Sequence, residues 1–142
     1  MATLDEILHR IISTRNLSHH QTLTSWQIDL PRRGRFTCQL DVGPDALEWW
    51  LTVYDQVDGK EVWKDWMDYL GYHNGKTEAE LIEDKGCDIS TFIEAWLRAT
   101  DARITRIKTK FFFNIFHITN TELELFLENQ WVVAPLDDLS RY

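Results

Sequence analysis

The sequence has few of the residues that identify several common classes of protein. Its two cysteines, Cys38 and Cys87, have no metal-type spacing and are too few for a disulfide framework, so we expect both to be buried thiols without chemistry. No apolar run approaches the roughly 18 residues that a membrane-spanning helix needs. Residues 1–12 carry Asp5 and Glu6, where a secretion signal would be basic and then apolar. These absences predict a cytoplasmic protein with no membrane segment.

Basic residues are also scarce. The chain of 142 residues has 15 lysines and arginines against 23 aspartates and glutamates, which gives a net charge of −8. This charge repels DNA, RNA and anionic membranes. We therefore expect a partner that is neutral, basic or small, with no nucleic acid and no membrane.

Aromatic residues, in contrast, are abundant. They make up 13% of the chain, with seven tryptophans, and the apolar fraction of 44% suits one globular domain over residues 1–142. A tryptophan ring buries a large area or, when exposed, anchors a partner. The face on which each tryptophan lies therefore bears directly on function.

The first half of the chain predicts a helix followed by an antiparallel meander of three or more strands. Residues 3–15 have apolar side chains at helical spacing behind a capping box of Thr3 and Glu6. Apolar and polar residues then alternate over residues 24–30, 36–42 and 47–54, with turn signals at residues 31–34 and 43–45.

The second half predicts helices and further strands. Asp58-Gly59 is a hairpin turn signal, yet Trp63, Trp66, Met67 and Leu70 are spaced for one helical face, and we favour a helix there. We predict a short helix from Thr77 to about Gly86 and a second one with Ser90 as its N-cap. Residues 102–118 read as one long strand, or as two joined near Lys110. A last helix should begin at Thr121, and a short strand should cover residues 131–133.

These elements define an α+β fold with an N-terminal helix, the meander, helices packed on one face, and C-terminal strands and a helix. The order of elements is similar to the type III secretion chaperone-like fold. The resemblance is one of topology, and no motif residues carry it.

The outer face of the meander is the first candidate site. In the predicted register it presents Asp29, Asp41 and Glu48 beside Trp50 and Tyr54. Acidic side chains around exposed aromatic rings suit a basic or amphipathic partner. The alternative is that a helix of the same chain covers Trp50 and Tyr54, so that both faces of the sheet are buried.

A basic strip is the second candidate. It consists of Arg98, Arg103, Arg106, Lys108 and Lys110, a third of the basic residues of the chain. Such a strip could hold a phosphate or an acidic patch of a partner. The alternative is a solvated edge strand on which cationic side chains prevent pairing with other sheets.

Two His-x-Thr triplets are the third candidate: His20-Gln21-Thr22 and His117-Ile118-Thr119. Paired triplets of this kind resemble the 2H phosphoesterases, in which two strands bring both histidines to one cleft. The resemblance implies that His20 and His117 act as general base and general acid, while Thr22 and Thr119 hold the phosphate. Imidazole can both take and give a proton near neutral pH, so this reaction needs no metal.

Other catalytic or metal-binding patterns carry less weight. His19, His20 and His73 with nearby carboxylates have no zinc-ligand spacing, and adjacent histidines of a strand point to opposite sides. The sequence has no glycine-rich phosphate loop and no Gly-x-Ser-x-Gly elbow. We predict neither a metal nor a cofactor.

Taken together, these features favour a small acidic module that binds a protein partner without catalysis, as chaperones of secreted proteins, immunity proteins and inhibitors do. The partner-binding residues would be Trp50, Tyr54, Asp29, Asp41 and Glu48. The alternative is the 2H-type phosphoesterase. The many tryptophans and an available edge strand also allow a homodimer.

Overall fold

The computed structural model describes residues 3–23, 25–43, 47–69, 75–111 and 116–136, and the side chains of all of these except residues 107–111 and 116–120. Two helices and eight strands lie within these ranges. The first five strands form one antiparallel sheet in the order β1-β2-β3-β4-β5, and the last three form a second sheet in the order β6-β7-β8. The fold is therefore α+β, as predicted. None of the helices in the described residues is both long and apolar enough to cross a membrane.

Helix α1 (Leu4–Arg15) confirms the predicted N-terminal helix. The hydroxyl of Thr3 accepts a hydrogen bond of 3.2 Å from the backbone N–H of Glu6, which satisfies one of the amide groups exposed at a helix start. The helix ends at Asn16, whose φ of 51° is left-handed. The buried face of the helix consists of Leu4, Leu8 and Ile12.

The five-stranded sheet contains the three predicted strands and one more at each edge. Strands β2 (Trp26–Arg33), β3 (Phe36–Val42) and β4 (Glu48–Asp55) match the predicted meander. Strand β1 (Ser18–Gln21) has no counterpart in the predicted elements, because all four of its side chains are polar and exposed and no alternation marks it. Position 24, the predicted start of a strand, is outside the described residues.

Strand β5 (Glu61–Asp68) corrects the predicted helix at residues 63–70. Met67 pairs with Trp49 and is buried, while its neighbour Trp66 pairs with Trp50 on the opposite face. The tryptophan spacing favours a helical period, because residues 63 and 66 lie on opposite faces of a strand, and pairing with β4 overrides that local pattern. The Asp58-Gly59 turn signal was the correct one, since Gly59 has a φ of 71°. Leu70 is outside the described residues.

Helix α2 (Glu78–Arg98) is one helix of 21 residues where we predicted two. Thr77 caps its start, as predicted, by accepting from the N–H of Glu80 at 3.2 Å. Gly86 does not end a helix. A Cβ at this position would lie 3.1 Å from Cδ1 of Ile7, so the glycine lets α1 and α2 approach closely. Ser90 lies within the helix and is not its N-cap.

The second sheet corrects the predicted last helix. Strands β6 (Asp101–Phe111) and β7 (Phe116–Leu127) pair along their whole length, so the predicted region of one or two strands forms two. The residues from Thr121 onward continue β7, because Leu123 and Leu125 are buried on one face and alternate with Glu122 and Glu124. Strand β8 (Gln130–Val133) confirms the predicted short strand.

One hydrophobic core contains buried side chains of α1, α2, one face of the five-stranded sheet and the second sheet. The rings of Trp49 and Phe92 lie 6.3 Å apart within it. Nε1 of Trp96 donates to the carbonyl oxygen of Pro31 at 2.7 Å, and the Arg33 guanidinium donates to the carbonyl oxygens of Trp96 and Leu97. These bonds hold the end of α2 against β2. We call the opposite face of the five-stranded sheet, which carries Asp41, Trp50 and Trp66, the outer face.

The cysteines differ from each other. Cys38 is buried in the core, and burial raises the pKa of its thiol well above its usual value. Cys87 is exposed on α2, so the prediction that both thiols are buried is wrong for Cys87. The prediction for Cys87 rested on the general tendency of free cysteines to be buried, and it did not consider which face of a helix the residue occupies.

Candidate functional site

The outer face of the five-stranded sheet collects the residues predicted to bind a partner. Asp41, Trp50 and Trp66 are neighbours in one row across β3, β4 and β5. A second row contains Asp29, Gln39, Thr52 and Lys64. Because residues paired directly across antiparallel strands share a face, these two rows lie side by side on the outer face, where Thr52 is buried and Trp50, Trp66, Asp29 and Lys64 are exposed. The structure therefore brings the predicted site residues onto one face, together with Trp66 and Lys64.

Two stacked tryptophans form the centre of this face. The ring centroids of Trp50 and Trp66 are 5.4 Å apart and the ring planes are inclined by 16°. The side chains remain 37% and 39% exposed. Nε1 of Trp66 donates to Oε2 of Glu48 at 3.0 Å, and the Lys64 ammonium lies 4.9 Å from the centroid of Trp50. Neither of the two described helices therefore covers Trp50.

Tyr54 stands at the other end of the face in a more polar setting. Its hydroxyl donates to Oε1 of Gln39 at 3.5 Å, and Nε2 of Gln39 donates to Oδ1 of Asp29 at 3.0 Å. Burial raises the pKa of Tyr54, and the nearby carboxylates of Glu61, Asp41 and Asp29 raise it further. The carboxylates therefore make the electrostatic potential at this end of the face negative.

Carboxylates outnumber cations on the outer face. Glu48 and Asp68 pair across β4 and β5, next to the row that contains Asp41. Among the described side chains of the central rows, Lys64 is the cation, and its ammonium is placed over the Trp50 ring. The face thus combines exposed aromatic area with negative charge, the combination that the sequence predicted.

Sequence reasoning missed Trp66 and Lys64 because it placed both on a helix. Trp66 contributes half of the stacked pair, and Lys64 contacts the other half. The turn signal Asp58-Gly59 could have found them. A hairpin at that turn puts the following strand beside β4, where alternation aligns Trp66 with Trp50.

The two His-x-Thr triplets lie in different sheets. His20 is exposed on β1 and pairs with Gln27. Thr22 accepts from the N–H of Ser25 at 3.0 Å and donates to its carbonyl oxygen, which closes the turn before β2. His117 and Thr119 lie on β7 of the second sheet, and their side chains are outside the described part of the structure. The phosphoesterase alternative stays a prediction.

The basic strip is partly engaged in ion pairs. Arg98 donates to Glu128 at 2.7 Å, and Arg103 donates to Glu124 at 2.8 Å while lying 4.2 Å from the Trp131 ring centroid. Arg106 is exposed on β6, which is an edge strand of the second sheet as described. The side chains of Lys108 and Lys110 are not described. A role of the strip in binding stays a prediction.

Neither a metal site nor a related protein assigns a function to the part of the chain that the structure describes. Within the described ranges, no group of three or more histidine, cysteine, aspartate or glutamate side chains could hold a metal ion. His73 is outside those ranges. The chain matches no protein-family model, no curated protein and no solved structure in the comparisons. The geometry of the outer face is therefore the basis for the proposed function.

Proposed function

We propose that this protein is a binding module that uses the outer face of its five-stranded sheet to hold a basic or amphipathic segment of another protein. The stacked and half-exposed pair of Trp50 and Trp66 is the observation that carries this proposal. The class of function is that of chaperones, immunity proteins and inhibitors, which act by covering a surface of a partner.

The apolar part of the interaction comes from the tryptophan pair. Trp and Tyr are enriched among the residues that contribute most to binding, and they act best when their rings are already held in place. Here Glu48 holds the indole N–H of Trp66, and stacking holds the two rings against each other. When a partner packs on this pair, the two tryptophan side chains would lose little conformational entropy, because they are already held in place.

The charged part comes from the surrounding carboxylates. Lys64 over Trp50 shows that this ring face accepts a cation in the folded protein. A lysine or arginine of the partner would meet the same ring and the carboxylates of Asp41 and Glu48. Such charges raise the association rate and select against acidic partners, and the net charge of −8 adds long-range attraction.

The proposal is tested by partner capture from cells of the source organism. The immobilised wild-type protein is compared with a Trp50→Ala/Trp66→Ala variant, and captured proteins are identified by mass spectrometry. We expect captured proteins with basic segments, which elute as salt is raised and are lost with the double variant. The matched control is Trp131→Ala, which removes a tryptophan of the second sheet.

Circular dichroism and thermal unfolding establish that all three proteins are folded. Capture that survives in the double variant contradicts the proposal, because the pair would then not anchor the partner. Capture that is lost equally with Trp131→Ala also contradicts it.

A further inference from the structure

A shallow depression lies on the outer face beside Tyr54. Its volume is about 350 Å³, and Asp29, Thr37, Gln39, Tyr54 and Gln56 contribute to its lining. Small-molecule sites start at about 300 Å³ and enclose most of the ligand. An open depression of this size is suited to one long side chain of a partner.

The polar groups of the depression favour a cation that donates several hydrogen bonds. Oδ1 of Asp29 accepts from Gln39, while Oδ2 has no hydrogen-bond partner among the described residues. Oγ1 of Thr37 accepts from Nε2 of Gln56 at 2.9 Å. Burial is the main cause of the raised pKa of Tyr54, and the nearby carboxylates of Glu61, Asp41 and Asp29 raise this pKa further.

A guanidinium group matches this lining better than an ammonium group. It is flat and can stack on the ring of Tyr54 while its N–H groups reach the carboxylate of Asp29. A lysine ammonium is a compact, strongly hydrated charge that gains less from the ring and makes no forked contact.

We infer that the depression lined by Asp29, Gln39 and Tyr54 is a subsite for an arginine side chain of the protein partner. The inference rests on the proposed function and adds the chemistry of one contact. Asp29 lies two strands and one row from Trp50, or about 12 Å. In an extended partner segment, about four residues would separate this arginine from the side chain that packs on the tryptophans.

The subsite is tested by titrating the ¹⁵N-labelled protein with N-acetyl-arginine N-methylamide and recording amide chemical shifts. We expect the changes to centre on the backbone amides of residues 29, 37, 39, 54 and 56. The citrulline counterpart has nearly the same shape without the charge and should bind at least about fivefold more weakly. The lysine counterpart should also bind more weakly.

Two variants show whether Asp29 holds the compound. Asp29→Asn should weaken binding of the arginine compound about fivefold. Glu83→Gln changes the net charge equally at an exposed position of α2 and should leave binding unchanged. Shift changes centred elsewhere overturn the inference, as do equal affinities for the arginine and citrulline compounds, or equal affinities of Asp29→Asn and wild-type protein.

The titration and the partner capture fail independently. The titration uses one arginine compound and no partner, so its failure overturns the subsite while captured partners still support the tryptophan pair. The proposed function is contradicted if the Trp50→Ala/Trp66→Ala variant captures the same partners as wild-type protein, whatever the titration shows.

Discussion

Trp49 and Trp50 are adjacent in β4 and lie on opposite faces of the sheet. Trp49 is fully buried, and its Nε1 donates to the hydroxyl of Tyr69 at 3.1 Å, whereas Trp50 is half exposed and stacks on Trp66. Alternation along one strand thus separates a core residue from a ring that is available at the surface.

Alanine substitution of Trp49 should mainly lower the stability of the protein, whereas alanine substitution of Trp50 should mainly remove partner binding. Trp49→Ala should lower the free energy of unfolding by about 3–5 kcal/mol, because it leaves a cavity in the core. Trp50→Ala should lower it by only about 1–2 kcal/mol, from the lost stacking contact, and should abolish partner capture. Urea unfolding measures both losses of stability. A larger loss for Trp50→Ala would mean that the register of β4 is reversed.

Replacing Lys64 should strengthen the binding of a basic partner. Its ammonium occupies the face of Trp50 that a cation of the partner would use, so Lys64→Ala should raise the affinity about threefold. Lys60→Ala is the matched control, since it removes an exposed cation near the preceding turn with the same change in net charge. Calorimetry with a captured partner measures both. Equal gains for the two variants would indicate a net-charge effect alone.

The close approach of α1 and α2 predicts coupling between Gly86 and Ile7. Gly86→Leu should lower the free energy of unfolding by about 2 kcal/mol, because the new side chain overlaps Ile7. Ile7→Ala combined with Gly86→Leu should recover part of that loss. Chemical denaturation of the two single variants and the double variant gives the coupling. Additive losses would show that the two positions do not touch.

Asp55 should make stability depend on pH on the acid side. Hydrogen bonds from the Arg35 guanidinium and from the N–H of Val57 lower the pKa of the Asp55 carboxyl. Because the folded-state pKa lies below the unfolded-state value of about 4, this contribution is present above about pH 4 and is lost as the pH falls through the folded-state pKa. Thermal unfolding of Asp55→Asn should show a weaker acid dependence than wild-type protein. If the unfolding temperatures of the variant and the wild-type protein fall equally as the pH is lowered, Asp55 is not the cause.

The phosphoesterase alternative requires both His20 and His117 for activity. A 2H-type enzyme would cleave a phosphodiester, and either His20→Ala or His117→Ala would remove that activity. On the proposed function, we expect hydrolysis at the rate of buffer alone, with no change in either variant. Turnover above buffer that both substitutions remove would favour the enzyme over the binding module.

Much of the first half of the fold could be predicted because its signals are local. Thr3 and Glu6 mark the start of α1, and the alternation over β2 to β4 sets which side chains share a face. Alternation alone is therefore enough to assign Asp29, Asp41 and Trp50 to one surface.

The errors occurred where a local helical pattern competed with the pairing of strands. Trp63, Trp66 and Met67 fit the spacing of a helix, although they lie on both faces of β5. The apolar residues after Thr121 fit either a helix or a strand. Pairing with β4 and with β6 decides both cases in favour of strands. Gly86 resembles a helix terminator in the sequence, and only its contact with Ile7 shows that it serves helix packing.

The sequence by itself determined the α+β class, the acidic charge and the identity of the residues on the outer face of β2, β3 and β4, because charge is compositional and alternation is local. Only the tertiary structure decided that Trp66 stacks on Trp50 and that Asp29, Gln39 and Tyr54 surround one depression. Those contacts join residues 10 to 25 positions apart. They depend on backbone hydrogen bonds between strands, which no local pattern specifies.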